Sequence, residues 1–335
     1  MRLGLAAFGE TLAEQTAAAR DAEAAGFERV WTSELARSAF VPAAAMAAAT
    51  DSIGIGTAIA LAFVRSPLTS ALSALDLDEL SGGRFVLGLG TGVKRLNGDW
   101  HGVDFDPPAR RLAQTVEVIR AVMGARLDGG TVETDGDVVR IAMRGFHRPD
   151  PAPRRAIPIH LAAVGPAMLA TCGRVADGWI GHELGSPRHL VDVIVPALER
   201  GIAASGRSRS DFEVVASACC ALDDDPERAR DLARPTVGFY ASVRTYQPFF
   251  AAHGFEAEAI AAQQALRSGD RASVAAAVTD AMVEEFCCCG TADAVRAKLA
   301  RYDGQADLVK LSPPTHDTAP ADSRACQSRI LELLG

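Results

Sequence analysis

Along most of the chain, short apolar runs rich in β-branched residues alternate with longer amphipathic segments. The runs predict strands at 2–8, 29–32, 53–61, 85–89, 157–162, 178–181, 212–221 and 307–311. Between them, apolar positions return every three or four residues over 12–25, 42–50, 67–80, 110–123, 166–175 and 190–204, the spacing of helices with one buried face. Strands that are apolar on both faces and separated by helices imply a parallel sheet covered by helices. Eight such strands imply an α/β chain folded as a (β/α)8 TIM barrel rather than an open doubly wound sheet.

Two segments break the alternation. Residues 127–156 are rich in Gly, Asp and Pro, and Asp135-Gly136 lies between two short alternating runs. That pattern predicts a small hairpin inserted before the fifth barrel strand. Residues 225–290 read as helical throughout, a cap inserted after the seventh strand, over the mouth of the barrel. Neither segment reads as an independent domain. At roughly 100–200 residues per domain, a length of 335 allows two domains or one large barrel, and the strand count favours one domain over 1–335.

Composition changes the picture only by exclusion. There are 34 basic against 42 acidic residues, a net charge of −8, which argues against a nucleic-acid partner bound through phosphates. Only three residues are lysine: Lys94, Lys298 and Lys310. The longest uncharged apolar run, 53–64, is too short to span a bilayer, and no signal peptide is legible. No membrane partner is expected, and a cytoplasmic location is. The seven cysteines contain no Cys-x-x-Cys pair and predict core thiols in a reducing compartment, with no metal site. The run Cys287-Cys288-Cys289 suggests no chemistry of its own.

In a barrel, reacting groups stand at the C-terminal ends of the strands and in the loops that follow. That rule selects Thr32-Ser33-Glu34, residues 58–63 with Arg65, Gly88-Leu89-Gly90-Thr91-Gly92, Ala162-Ala163-Val164-Gly165-Pro166, Gly181-His182-Glu183 and Lys310-Leu311-Ser312. Glycines let backbone approach a flat or phosphorylated ligand, although tight strand packing explains them equally well. Pro166 opens a helix, and the free N–H groups of such a turn suit an anion. His182 titrates near neutrality in its ordinary state and is a candidate proton donor. Glu34 and Arg65 follow apolar strands, so burial would demand a partner for each. Asp99, Trp100 and His101 read as a solvated loop with one anchoring aromatic. Asp223-Asp224-Asp225-Pro226-Glu227 reads as a helix start rather than a metal site.

Several stretches together resemble the bacterial luciferase-like flavin and deazaflavin oxidoreductases. They are Gly26 to Trp31, the block from Arg65 through Ser81-Gly82-Gly83-Arg84-Phe85 to Gly92, Ile157 to Met168, Val175 to Trp179 and Cys289 to Asp293, in the family's order and over nearly the whole chain. Gly181-His182-Glu183 with Ser186 to Leu190 is similar to the branch related to methylenetetrahydromethanopterin reductase, which uses coenzyme F420. The resemblance implies a ring laid across the barrel mouth and backed by a bulge in strand three, often with a non-prolyl cis peptide, at Thr57, Ala58, Ile59 and Ala60. It assigns the ring edge and the phosphate-bearing tail to Gly90, Thr91 and Gly92 and to Ala162, Ala163, Val164 and Gly165, with Arg65 as the first cation for the tail. His182, Glu183 and Glu34, in that order, become the candidate proton donors. The implied activity is F420-dependent hydride transfer to or from a small organic substrate. An FMN-dependent monooxygenase is the alternative on the same barrel, and a catalytically silent binding barrel the alternative of another class. Family members often dimerise through outer helices, which implies a homodimer using small residues at 43–49 and 70–74. The chain departs from many relatives at Ser33-Glu34-Leu35, where they carry an acid-His pair, and at Val93-Lys94, where sugar-phosphate-oxidising relatives carry an acid.

Overall fold

The computed structural model describes residues 1–128, 130–148, 154 and 156–333. Its strands are β1 (Arg2–Ala6), β2 (Arg29–Thr32), β3 (Gly54–Thr57), β4 (Ala60–Leu61), β5 (Phe85–Gly90), β6 (Val132–Thr134), β7 (Ile141–Met143), β8 (Ile159–Ala162), β9 (Gly178–Ile180), β10 (Glu213–Leu222), β11 (Cys287–Gly290) and β12 (Leu308–Ser312). Parallel pairing runs β1-β2-β3-β5-β8-β9-β10-β12 and returns to β1, which closes a (β/α)8 barrel. The helices Pro67–Leu80 and Pro166–Val175 have the predicted bounds. Each starts with a proline in its first turn, where no N–H is needed.

Side chains of alternate strand residues fill the lumen. Trp31, Val86, Ile180, Val215 and Leu308 pack together there, with Ala58 and Ile59 against them. The Trp31 ring fits because β3 carries glycine opposite: a Cβ on Gly56 would lie 2.4 Å from that ring. The N-terminal end of the barrel is closed by Glu213, which accepts from Arg2 and Arg29 at 2.8 and 2.9 Å and lies 3.3 Å from His160 Nε2. The open end is therefore the C-terminal one.

Three sequence expectations change here. The 225–290 segment is helical only to Phe286; Cys287–Gly290 is a strand added to β10, with Cys219 beside Cys287 and Cys220 beside Cys288. The triple cysteine is thus buried core filling, and compact apolar thiols suit it. The predicted hairpin forms from β6 and β7, but Thr134 pairs with Ile141, so its connection spans six residues rather than a two-residue Asp-Gly turn. Residues 94–101 form a helix rather than a loop, and Trp100 is 66% exposed and anchors nothing. The 127–156 insertion falls partly outside the described residues.

Of the small residues at 43–49 and 70–74, Ala43, Ala47, Ser70, Ala71 and Ala74 are buried within the chain, while Ala48 is exposed and Ala44, Ala45 and Ala49 are half-buried. No helix among the described residues is long and apolar enough to cross a membrane.

One carboxylate ties an outer helix to the barrel. Glu23 accepts from the N–H groups of Asp51, Ser52 and Ile53 at 3.0, 2.6 and 2.9 Å and from the Ser52 hydroxyl at 2.9 Å. Burial alone would raise its pKa, but the Ile53, Ser52 and Asp51 donors outweigh this and bring it to about 2. Its folded pKa lies below the unfolded 4.5, so the stabilisation is complete above that value and is lost as pH falls towards 2. Glu23→Gln is expected to cost about 1–3 kcal/mol at pH 7. Urea unfolding of both proteins across pH 2–7 checks this, and a difference independent of pH would contradict it.

Candidate active site

The third barrel strand is interrupted at the mouth. Between the pairs Gly56–Val86 and Ala60–Leu89 it runs through Thr57, Ala58 and Ile59, while β5 runs through Leu87 and Gly88 alone. One extra residue makes a bulge, and the Ala58–Ile59 peptide within it is cis. The Thr57 hydroxyl repairs the broken ladder by donating to the Gly88 carbonyl at 2.7 Å and accepting from the Gly88 N–H at 2.9 Å.

Glu34 pins the bulge from outside. Its N–H donates to the Ile59 carbonyl at 3.0 Å, and its Oε2 accepts from Leu61 N–H at 2.7 Å and from Arg65 Nη1 at 2.9 Å. Its Oε1 takes the second arm of the same guanidinium, which lies over the Phe40 ring. The Glu34 side chain is 8% exposed. Both oxygens are thereby committed to holding backbone and cation in place.

Around this bulge the floor of the mouth is made of small residues. A Cβ on Gly88 would stand 1.7 Å from the Thr57 carbonyl oxygen, and one on Gly90 2.8 Å from Ile59. Gly92 turns the chain at φ 63°, and Asn97 Nδ2 holds the turn by donating to the Thr91 and Val93 carbonyls. On the neighbouring strand, Ala162 and Ala163 lead to Val164, which is exposed, and to Gly165, which precedes the Pro166–Val175 helix. No side chain caps that helix start. A cavity of about 390 Å³ lies against Ala6, Trp31, Thr32, Ser33 and Ala58.

The opposite side of the mouth is polar at its rim and apolar beyond. His182 Nδ1 accepts the Leu184 N–H at 3.2 Å. Burial holds its pKa down to about 4 against the pull of Glu183. A neutral imidazole that accepts at Nδ1 carries its proton on Nε2. His182 is therefore a neutral Nε2–H donor, not the imidazolium acid its ordinary pKa suggests. Glu183 Oε1 accepts from the Tyr240 hydroxyl and, at 3.2 Å, from His316 Nε2. Burial would raise its pKa, but the hydrogen bonds from His316 and Tyr240 bring it to about 2. It is a fixed anion, an acceptor rather than a donor of protons. The rings of Tyr240 and Tyr246 lie 4.4 and 4.9 Å from that of His182, and Phe239 stacks on His316 at 4.2 Å. A second cavity of about 530 Å³ opens here, lined by His182, Ser217, Leu190, Tyr246, Phe249 and Tyr302 among others.

The sequence profile of the family described as luciferase-like monooxygenase matches residues 2–307. The chain belongs to that family. An uncharacterized protein of Mycobacterium tuberculosis is 34% identical over 308 residues, which is 89% of this chain and 91% of that one. The 5,10-methylenetetrahydromethanopterin reductase of Methanolobus tindarius is 32% identical over 287 residues, 84% of each. The coenzyme F420-dependent tetrahydromethanopterin reductase of Methanopyrus kandleri superposes with a TM-score of 0.83 at 24% identity, over 100% of this chain and 99% of that one.

Within this luciferase-like frame, the structure brings Thr57, Ala58, Ile59, Ala60, Gly90, Thr91 and Gly92 together as one wall and places His182 and Glu183 on another. It sets Arg65 on Glu34 rather than leaving it open to an anion, and it turns Glu34 into a brace. The motif reading missed Tyr240, Tyr246 and His316, which reach the site from the cap and from the loop after β12. A tyrosine in a helix carries no local mark of the strand end above which it will be folded.

Proposed function

We propose that this luciferase-like barrel is a coenzyme F420-dependent oxidoreductase acting on an apolar organic substrate held beneath the 226–286 cap. The bulge at Thr57–Ala60 against Gly88 and Gly90 carries the reading, since it leaves a flat, side-chain-free wall beside the mouth. The family and the methanopterin-reductase relatives support the choice of deazaflavin. The residues present fit such a group: Gly88 and Gly90 add no side chain to the wall, and the uncapped helix start at Gly165 offers N–H groups to an anionic tail. When bound, the deazaflavin supplies the hydride chemistry.

The chain's own residues divide the remaining work. Thr57 and Glu34 fix the wall, while Ala163 and Val164 present backbone to the tail. His182 donates a hydrogen bond from Nε2, and Glu183 holds Tyr240 and His316 at their angles. Leu184, Leu190, Phe249 and Tyr302 exclude water from the substrate side.

Titration of the purified protein with F420 and with FMN tests the proposal. Micromolar F420 binding is expected. Tight FMN binding without F420 binding would assign a flavin monooxygenase instead, and binding of neither would leave a silent barrel.

The role given to His182 has its own check. Nitrogen-15 histidine spectra are expected to show a neutral Nε2–H ring that titrates near 4 rather than near 6.5. Because the unfolded ring binds a proton first, burial of His182 makes stability rise with pH between about 4 and 6.5. His182→Phe is expected to lower kcat about 10²-fold, the usual effect of losing one positioned donor.

A further inference from the structure

The proton donor of the proposed reaction is not among the three acids and bases that the motifs single out. His182 is neutral, Glu183 is held ionised, and Glu34 is locked to Arg65. Another group stands in the lumen below the mouth. Lys310 lies on β12 in register with Gly4 of β1 and Ser217 of β10. It is two residues beyond Leu308, whose side chain packs in the lumen, so it faces the same way one layer nearer the mouth. It is 6% exposed. Among the described residues its ammonium has no hydrogen-bond or ion-pair partner. The neighbouring Ser217 hydroxyl, 2% exposed, is also without a partner, as is Trp31 Nε1, which stands where a Gly4 side chain would be. The chain's other two lysines are paired, Lys94 with Asp106 and Lys298 with Glu284. β12 lies between β1, whose Ala6 borders one cavity, and β10, whose Ser217 borders the other, and Lys310 itself lines neither.

We propose that Lys310 is the proton-donating catalytic residue, assisted by the Ser217 hydroxyl, and that its substrates are apolar ketones, aldehydes or imines. The proposal rests on the reading of the site as that of a deazaflavin oxidoreductase. When bound, reduced deazaflavin would supply the hydride of the new C–H bond, leaving the C=O or C=N π pair on the heteroatom. That atom takes a proton from the Lys310 ammonium, forming O–H or N–H. The substrate would gain the two electrons that the deazaflavin supplies, and Lys310, left as an amine, would regain a proton from solvent. An ammonium on a largely buried lysine with no protein acceptor suits this exchange, because burial lowers its pKa from the ordinary lysine value and makes the proton easier to give up. Glu183 pulls the other way and keeps the charged form available. The other titratable groups on this side are His182, His316, Tyr240, Tyr246 and Cys219; deeper in the lumen, Glu213 is engaged with Arg2, Arg29 and His160.

Three lysines make the test direct. Protein labelled with 13Cε-lysine and saturated with oxidised F420 is titrated with alkali, with and without acetophenone at tens of millimolar, and Lys310→Arg assigns the signal. Lys310 is expected to titrate below the other two lysines, and acetophenone is expected to move its resonance and raise its midpoint, because the ketone oxygen favours the charged donor. A Lys310 signal that titrates with the others, or that acetophenone leaves unmoved, overturns the proposal while F420 binding stands. Failure of the unaltered protein to bind F420 overturns the functional reading itself. With reduced F420 and a ketone that turns over, Lys310→Met should lose about 10²–10⁴-fold in kcat with KM little changed. It should also lose the alkaline limb of the pH profile, with F420 affinity unchanged.

Discussion

Gly88→Ala is expected to lower stability by about 3–5 kcal/mol and to weaken F420 binding at least tenfold. The Cβ it introduces would stand 1.7 Å from the Thr57 carbonyl oxygen and 2.7 Å from the Ile180 side chain. The first of these is backbone, so no rotamer change relieves it; β3 and β5 must separate. Overpacking of this kind costs about 1–3 kcal/mol and sometimes more. Separation also breaks the two hydrogen bonds between Thr57 and Gly88, at about 1 kcal/mol each. The bulge moves with them, which carries the local loss into ligand binding. Gly124→Ala is the control. It lies within the Pro108–Asp128 helix with open space where the Cβ goes, and should stabilise by up to about 1 kcal/mol. Urea unfolding and fluorescence titration measure both effects; a Gly88→Ala protein as stable as its parent would remove the bulge from the explanation.

How much of this was legible beforehand follows from the range of the interactions. The alternation of apolar runs and amphipathic segments is set locally, so eight barrel strands and their helices could be read from it. The Cys287–Gly290 strand could not, because four residues with a cysteine triplet have no periodicity to distinguish a strand from a helix end. What makes them a strand is the distal half of β10, nearly seventy positions earlier, whose edge β11 takes where β12 ends. The glycines at 88, 90 and 92 were visible but ambiguous, since tight packing and ligand approach demand the same residue. The packing reading holds at Gly88, whose close approach to Thr57 builds the wall; ligand approach belongs to the proposed function.

Residues of the site fared differently according to what surrounds them. Strand ends put His182, Glu183 and Glu34 on the short list, but their ionisation depends on partners that sequence order does not reveal. Glu183 is fixed as an anion by Tyr240 and His316, which lie 57 and 133 positions away. His182 loses its ordinary titration to burial beneath the same cap. Lys310 was legible only as the end of a strand; that it lacks a partner is a property of the closed barrel.

Glu34→Ala is expected to cost about 3–5 kcal/mol, the usual price of removing one partner from a buried ion pair, and F420 binding should weaken with it. The loss strands the Arg65 guanidinium, 18% exposed, and leaves the Leu61 N–H without its acceptor. Glu34→Gln keeps one acceptor oxygen and should fall between the two. Adding Arg65→Met to Glu34→Ala should restore part of the loss, since the second change removes the uncompensated charge, and the double-mutant cycle isolates that coupling. The same series separates a brace from an acid. A brace loses stability and cofactor affinity together, in proportion across the variants, and Arg65→Met alone reproduces much of the effect. A proton donor instead loses kcat in Glu34→Gln with folding and F420 affinity intact, and Arg65→Met does not mimic it. The bidentate geometry, with Glu34 also gripping both sides of the bulge through Ile59 and Leu61, requires the first pattern.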